Sequence, residues 1–400
     1  MASRAPLQGI RVLELGSFIA GPYCGQLLAD YGAEVIKVEP PGTGDPMRRW
    51  GVVLHQGRSL WWTVIARGKK SVTVDLRHPE GQEVVRRLVQ RCDILVENFR
   101  PGTLEAWGLG PEVLLERNPK LVMVRISAFG QTGPYRDRAG FGSVAEAMGG
   151  LRYLVGFPDR PPPRFGVSIG DTLAGLFGAV GALLALRERE VRGGRGQVVD
   201  VAITDAVLAV LESVIAECSV TGAVRQRSGS LLPGVAPSNL YQTADGRWVV
   251  VAANADGVFR RLCDAMGRPE WKEDPRYATH EARGAHQEEL DRAIAAWVRS
   301  LPAVELLQLL DRYEVPCGPV YHAADVLQDP HFRARGSLVA VEDPALGPVT
   351  MQAPTPRLEA TPLPSPGPAP ELGQHTEEVL QELAGLSAQE VAALRRGGVV

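Results

Sequence analysis

Lysine is scarce in this 400-residue chain, confined to Lys37, Lys69, Lys70, Lys120 and Lys272, and neither sign of charge prevails. With 43 Lys and Arg against 46 Asp and Glu, the net charge is −3. That balance excludes a global positive field able to recruit nucleic acid or an anionic membrane. An anionic ligand must therefore be met by a local group of cations. Cysteine is sparse as well. Cys24, Cys92, Cys218, Cys263 and Cys317 are nowhere closer than 45 residues, which leaves no CxxC, no zinc spacing and no disulfide framework. No metal is expected, and the setting is expected to be reducing and cytoplasmic. Met1–Gln8 is too short for a signal or transit peptide before the first strand. The longest uncharged stretch, Thr172–Leu186, is broken by glycines and too short to span a bilayer, so no membrane partner is expected. Neither GxxxxGK[ST] nor HExxH occurs, which leaves P-loop and zincin chemistry unsupported.

What is present is ordinary globular material, 45% hydrophobic and 22% charged, in a length that fits two domains. Ile10–Leu15 reads as a buried strand, Tyr23–Tyr31 as a helix stopped by Gly32, and Ala33–Glu39 as a second strand. Further strands are predicted at Val72–Leu76, Asp93–Val96 and Leu121–Ile126, with helices from His78 to about Arg91 and over Gly108–Arg117. This alternation predicts a doubly wound α/β domain with a parallel sheet. Thr172–Leu186 and Ile203–Cys218 then read as two long buried helices, and Arg225–Ser238 as a loop rich in Gly, Ser and Pro. Residues 225–330 look like a smaller α+β domain. Strands return over Ser337–Ala353, the proline-rich Thr361–Pro370 reads as an extended arm, and Gln374–Arg396 as helix.

Gly16, Gly21 and Gly25 follow the first strand, and Glu39 closes the second. A dinucleotide fingerprint needs glycine at position 18, where Phe18 blocks close approach of a pyrophosphate, so NAD(P) and FAD are not expected. The glycines then serve helix–sheet packing, or a different nucleotide lies along these loops. Seven histidines are scattered, and none is singled out as a general base. Arg48, Arg49, Arg67, Lys69, Lys70, Arg77 and Arg100 form a cationic set near predicted strand ends. Such a set is a solvated face unless the fold gathers it into a phosphate site. Asp171 stands directly before the most apolar helix. Two roles fit it: an N-cap, or a carboxylate nucleophile flanked by Gly170 and Gly175, which leave room for a substrate.

Several stretches together resemble the class III CoA-transferases, the family of formyl-CoA and carnitine CoA-transferases. They are Leu13–Glu39 (LELGSFIAGPYCGQLLADYGAEVIKVE), Gly42–Asp45, Lys69–Arg77 (KKSVTVDLR), Asp93–Gly102 (DILVENFRPG) and Ala128–Tyr135 (AFGQTGPY). Gly170–Leu176 (GDTLAGL), Gly194–Asp200 (GRGQVVD), Pro316–Val320 (PCGPV) and Leu372–Thr376 (LGQHT) continue the series. The likeness runs from about Gly9 to Val400 and rests on the order and spacing of the motifs.

The resemblance implies an α/β fold in which a large Rossmann-like domain and a smaller α+β domain form a ring-shaped monomer, two of which interlock as a homodimer. The division implied on this chain is 1–200 for the N-terminal part of the large CoA-binding domain, 201–224 for a linker helix, 225–330 for the small domain and 331–400 for a return to the large one. The substrates implied are an acyl-CoA, dicarboxylic such as succinyl-CoA, and a free carboxylic acid, with no permanently bound cofactor. Asp171 matches the family nucleophile. It would attack the donor thioester to give a mixed anhydride and CoA thiolate, which returns to form an aspartyl-CoA thioester; the acceptor then reverses the steps. CoA contacts carry over to Ile19 and Ala20, to Val74, Asp75, Leu76 and Arg77 near the adenine, and to Asn98, Phe99 and Arg100, with Arg100 the cation. Two positions depart from formyl-CoA transferase: Pro40 replaces an Arg, and Gly142, after Phe141, replaces an acid. Acyl-CoA racemases share the fold but carry a His where this chain has Phe141, which leaves no acid/base pair. A CoA-transferring isomerase and a non-catalytic subunit of a heteromeric transferase also fit the resemblance.

Overall fold

The computed structural model describes residues 5–51, 53–361, 363 and 365–400. Met1–Arg4 and, within the predicted arm, Pro362 and Pro364 lie outside them. The chain forms two compact units. The first comprises residues 1–152, 164–216 and 334–400, and the second residues 153–163 and 217–333.

The first unit is built on six parallel strands: β1 (Arg11–Glu14), β2 (Glu34–Glu39), β3 (Lys70–Thr73), β4 (Ile94–Glu97), β5 (Val122–Ser127) and β6 (Val198–Ala202), in the order 3-2-1-4-5-6. The inner strands β1, β2, β4 and β5 are buried on both sides because helices cover both faces. Leu13, Ile36, Val38, Leu95 and Met123 face one core with helix Pro79–Val89 and the C-terminal helices. Their neighbours Val12, Val35, Ile94, Val96, Val122 and Val124 face the other core, with helices α1 (Ala20–Asp30) and α4 (Ile169–Arg192). Helices α2 (Pro79–Val89) and α3 (Gly142–Met148) lie between these in sequence.

The C-terminal segment belongs to this unit through side-chain and backbone ties to β3. Thr73 N donates to Thr376 Oγ1 at 2.9 Å, Ser71 N to His375 Nδ1 at 3.2 Å, and Asp75 N to the Val399 carbonyl at 2.8 Å. That last bond takes Asp75 out of the ladder, so β3 ends at Thr73 rather than at Leu76 as expected. The described end of the arm is pinned too, with Ala369 buried among Met47, Trp62 and Ile65.

Three other expectations change. The long helix expected over Ile203–Cys218, and the linker helix over 201–224, are replaced by the end of β6 and two shorter helices, Ile203–Leu208 and Val214–Thr221. Glu212, in the break between them, has φ +51°. Gln374–Arg396 is likewise two helices, Thr376–Glu382 and Ala388–Arg396, separated by a turn in which Gly385 has φ +66°. The helix expected from Thr172 to Leu186 is the 24-residue α4, and by length and apolarity it could cross a membrane. Its glycines show why it is a packing helix. A Cβ at Gly175 would stand 2.7 Å from the Ala20 carbonyl of α1, and one at Gly178 would stand 3.1 Å from Ile126 of β5.

The second unit holds a three-stranded antiparallel sheet with Trp248–Ala252 between Ser238–Gln242 and Cys317–Pro319. Val249 and Val251 point into a core shared with helices Asp256–Ala265, Gln287–Val298 and Ala303–Arg312. The Gly/Ser/Pro loop packs on the strip 153–163: Gly229 N donates to the Gly156 carbonyl at 3.0 Å, and Tyr153 Oη to Gln226 Oε1 at 2.7 Å.

Candidate active site

The strand order reverses direction at β1, so the loops leaving β1 and β4 diverge and open a crevice at the carboxyl ends of the sheet. A cleft of about 730 Å³ lies there, lined by Leu15–Ser17 after β1, Glu39–Pro41 after β2, Val74–Arg77 after β3 and Phe99 after β4, with Arg49, Trp50 and Trp107. Its floor is a buried ionic network. Lys37 Nζ lies 3.0 Å from Glu14 Oε1, 2.8 Å from Asp45 Oδ2 and 2.8 Å from the Gly16 carbonyl. Burial would pull this ammonium down, but Asp45, Glu14 and Glu39 hold it above its ordinary range. Lys69 Nζ holds the other Glu14 oxygen at 2.7 Å. Arg48 clasps Glu39 through Nε at 2.7 Å and Nη2 at 2.8 Å, and lies over the Trp62 ring at 3.9 Å.

Of the residues expected to contact CoA, Val74, Asp75, Leu76, Arg77 and Phe99 line this cleft. Phe99 is set by its N–H, which donates to Glu97 Oε2 at 2.7 Å, and by an edge contact with Trp107 at 5.2 Å. Arg77 is closed on Asp75 by two bonds of 2.9 Å. Ile19 and Ala20 are buried at the start of α1, outside the lining. Asn98 is outside it too. Its amide bridges both polar groups of Ser17, accepting from N at 2.8 Å and donating to O at 2.9 Å, so it fixes the loop after β1. Arg100 reaches the Asp137 carbonyl instead. Sequence pattern did not point to Trp50, to Trp107 or to the cleft-facing role of Arg49. No local signal marks them, because they arrive from turns and short helices rather than from strand ends.

Asp171 is the third residue of α4, so it lies inside the first turn and the N-cap is Ser168. The stretch Gly166–Gly170 also matches G-x-S-x-G, a pattern absent from the expectations above. Ser168 does not stand on a strand-to-helix elbow, and its Oγ accepts from Arg164 at 3.2 Å. No described side chain or backbone group hydrogen-bonds to or ion-pairs with the half-buried Asp171 carboxylate. Burial pushes its carboxyl up to about 6, against the pull of Arg164 and with the help of Glu146. The positive end of the 24-residue helix favours its ionised form, leaving an anion at neutral pH with free lone pairs.

Gly142 abuts this carboxylate: a Cβ there would lie 2.0 Å from Asp171 Oδ2. The missing acid at this position is therefore a steric condition for the observed Asp171 orientation. Gly175, expected to leave room for substrate, instead packs against α1. An aromatic wall joins the cleft to Asp171. Trp50 meets Phe18 at 5.1 Å, and Phe18 meets Phe141, the neighbour of Gly142, at 6.5 Å. Phe18 is held at φ +63°, costly for a bulky residue, with its N–H on Asp45 Oδ1 at 3.2 Å. Among the described residues, no three His, Cys, Asp or Glu side chains converge as metal ligands.

Comparison with known proteins bears on the family and the fold. Residues 7–376 match the family described as CoA-transferase family III. The chain is 58% identical to succinyl-CoA–D-citramalate CoA-transferase of Chloroflexus aurantiacus, over 99% of this chain and 98% of that one. It is 43% identical to the alpha subunit of succinyl-CoA–L-malate CoA-transferase from Chloroflexus aurantiacus, over 99% and 92%. Among solved structures, a CAIB/BAIF family protein from Brucella suis superposes with a TM-score of 0.85 at 36% identity, covering 95% of this chain and all (100%) of that one. The parallel sheet, the cleft at its carboxyl edge and the unpartnered aspartate belong to a chain that is a member of the CoA-transferase family III.

Proposed function

We propose that this CoA-transferase moves CoA from succinyl-CoA to a second dicarboxylic or hydroxydicarboxylic acid, with Asp171 as the covalent nucleophile. One observation carries the assignment to Asp171: a half-buried carboxylate, ionised at neutral pH, to which no described residue hydrogen-bonds or ion-pairs, at the end of an aromatic wall that leads from a nucleotide-sized cleft. A structural carboxylate in that setting would have a partner. The names of its relatives support succinyl-CoA as donor.

Attack of Asp171 on the thioester carbonyl forms an acyl–aspartyl anhydride and expels CoA thiolate. The thiolate then adds to the aspartyl carbonyl, releasing succinate and leaving an aspartyl-CoA thioester. The acceptor carboxylate attacks that thioester, expelling CoA thiolate and forming an acceptor–aspartyl anhydride; the thiolate then adds to the acceptor acyl carbonyl, giving the new CoA thioester and freeing the Asp171 carboxylate. Water would hydrolyse the anhydride, so the site must exclude it during turnover.

The working form under this reading is a cytoplasmic homodimer of interlocked, ring-shaped protomers. Support comes from the outer face of α4, where Leu176, Phe177, Val180, Leu183 and Leu184 are exposed together. The relatives include an alpha and a beta subunit, so heteromeric pairing is the rival arrangement, and sizing of the purified chain tests it.

The test supplies succinyl-CoA without acceptor. Borohydride is expected to reduce the Asp171 thioester to an alcohol, and hydroxylamine to leave a hydroxamate, each read by mass on the peptide containing Gly166–Leu176. Turnover with that peptide unmodified by both reagents overturns the covalent assignment.

A further inference from the structure

We propose, building on the CoA-transferase reading, that Arg49 is the anion-binding residue of the cleft and takes a phosphate of the CoA nucleotide. Among the described residues, three cations line the cleft: Lys37, Arg49 and Arg77. Lys37 directs its ammonium to Glu14, Asp45 and the Gly16 carbonyl, so its three donors are occupied. Arg77 is neutralised by its two-bond clasp on Asp75. Among the described residues Arg49 has no carboxylate partner, and its side chain makes one hydrogen bond, from Nη2 to the Thr43 carbonyl at 3.5 Å. It is exposed at the rim.

The charges beneath the rim sharpen this. Glu14, Glu39 and Asp45 are each matched, by Lys69, Arg48 and Lys37 respectively. With Asp75 and Arg77 cancelling, the guanidinium of Arg49 is the one uncompensated charge that faces the cleft among its described residues. In a chain of net charge −3, that local positive charge is what an anionic nucleotide would meet. Arg48, the preceding residue, turns inward: Nε and Nη2 go to Glu39, and Nη1 goes to the Pro370 carbonyl at 3.2 Å. The short 3₁₀ turn Pro46–Arg48 thus fixes one Arg in the floor and leaves the next free. Pro40, which offers no charge, lines the same cleft, so the cation comes from this turn. The planar fork of Arg49 suits phosphate oxygens.

The 3′-phosphate and the diphosphate bridge of CoA share this chemistry, and the test separates them. Isothermal titration of CoA and of 3′-dephospho-CoA is carried out on the full chain and on Arg49→Ala, Arg49→Lys and Arg100→Ala. Arg49→Ala is expected to weaken CoA by about tenfold to a hundredfold, the loss of one charge-assisted contact. Arg49→Lys recovers part of that loss, and Arg100→Ala stays within about threefold, because Arg100 lies outside the cleft. A loss confined to CoA assigns the 3′-phosphate, and an equal loss for both ligands assigns the diphosphate. Because the Arg49 side chain makes only the long bond to Thr43, and its backbone bond to Pro46 survives in alanine, circular dichroism of Arg49→Ala should match the parent chain. Unchanged CoA affinity in Arg49→Ala, or a larger loss in Arg100→Ala, overturns the proposal and leaves the transferase reading standing. A parent chain that binds no CoA overturns both.

Discussion

Replacing Gly142 by Ala tests the nucleophile through one methyl group. The added Cβ would lie 2.0 Å from Oδ2, 2.5 Å from Cγ and 2.7 Å from Oδ1 of Asp171, so it overlaps the whole carboxylate. A normal contact needs more than 3.0 Å, so the carboxylate must retreat by about 1 Å or rotate away. The obstacle is a side chain free to turn, and Gly142 has no positive φ, so the fold should survive. A misplacement of about 1 Å in a reacting group costs on the order of a hundredfold in rate. The expected result is a kcat lower by roughly that factor, with the KM for the CoA donor within about threefold, because Gly142 does not line the cleft. Chromatographic separation of CoA esters measures both constants, and a thermal melt checks folding. If the folded variant transfers CoA within about threefold of the parent rate, Asp171 does not act from the position described, and the steric reading of Gly142 fails.

The raised carboxyl of Asp171 sets an acid limb: kcat/KM should fall as pH drops through about 6, where the nucleophile takes up its proton. Glu146→Gln removes a neighbouring negative charge but keeps an acceptor for Arg152, so the limb should move to lower pH; a pH–rate profile with an unmoved limb refutes the coupling. Because burial raises the folded carboxyl above its unfolded value, ionised Asp171 destabilises the native state above about pH 6. Asp171→Asn should therefore be inactive yet more stable at pH 8, by up to about 3 kcal/mol. That gain should vanish below about pH 4, where the parent carboxyl is protonated in both states; denaturant titrations at the two pH values decide it. Leu184→Asp on the outer face of α4 should shift the dimer to monomer in light scattering, and a parent-like dimer in that variant places the interface elsewhere.

The alternating strands and helices of the first 130 residues, and the order of motifs, determined the parallel sheet and the family. A buried strand must be apolar on both faces and must end in a turn, and both marks are local. The glycine-flanked Asp171 was legible for the same reason. Other features needed distant chain segments. Arg48 and Arg49 are indistinguishable as letters, yet one is held by Glu39 and Pro370 and the other faces the cleft. Asn98 stood among the expected CoA ligands, but it fastens Ser17 across 81 residues of chain. The long helix expected over Ile203–Cys218 is apolar enough to continue, yet its first helix starts directly from β6 and ends at Leu208, short of Glu212 at positive φ. Gly142 stood out only as a lost acid near the nucleophile, and that it abuts the Asp171 carboxylate from a different helix needed the fold. Local pattern fixes which segments are strands and helices, because propensity and periodicity act over a few residues. Which charge is neutralised and which is left for a ligand depends on the partners the folded chain brings within a few ångströms, and that only tertiary structure decides.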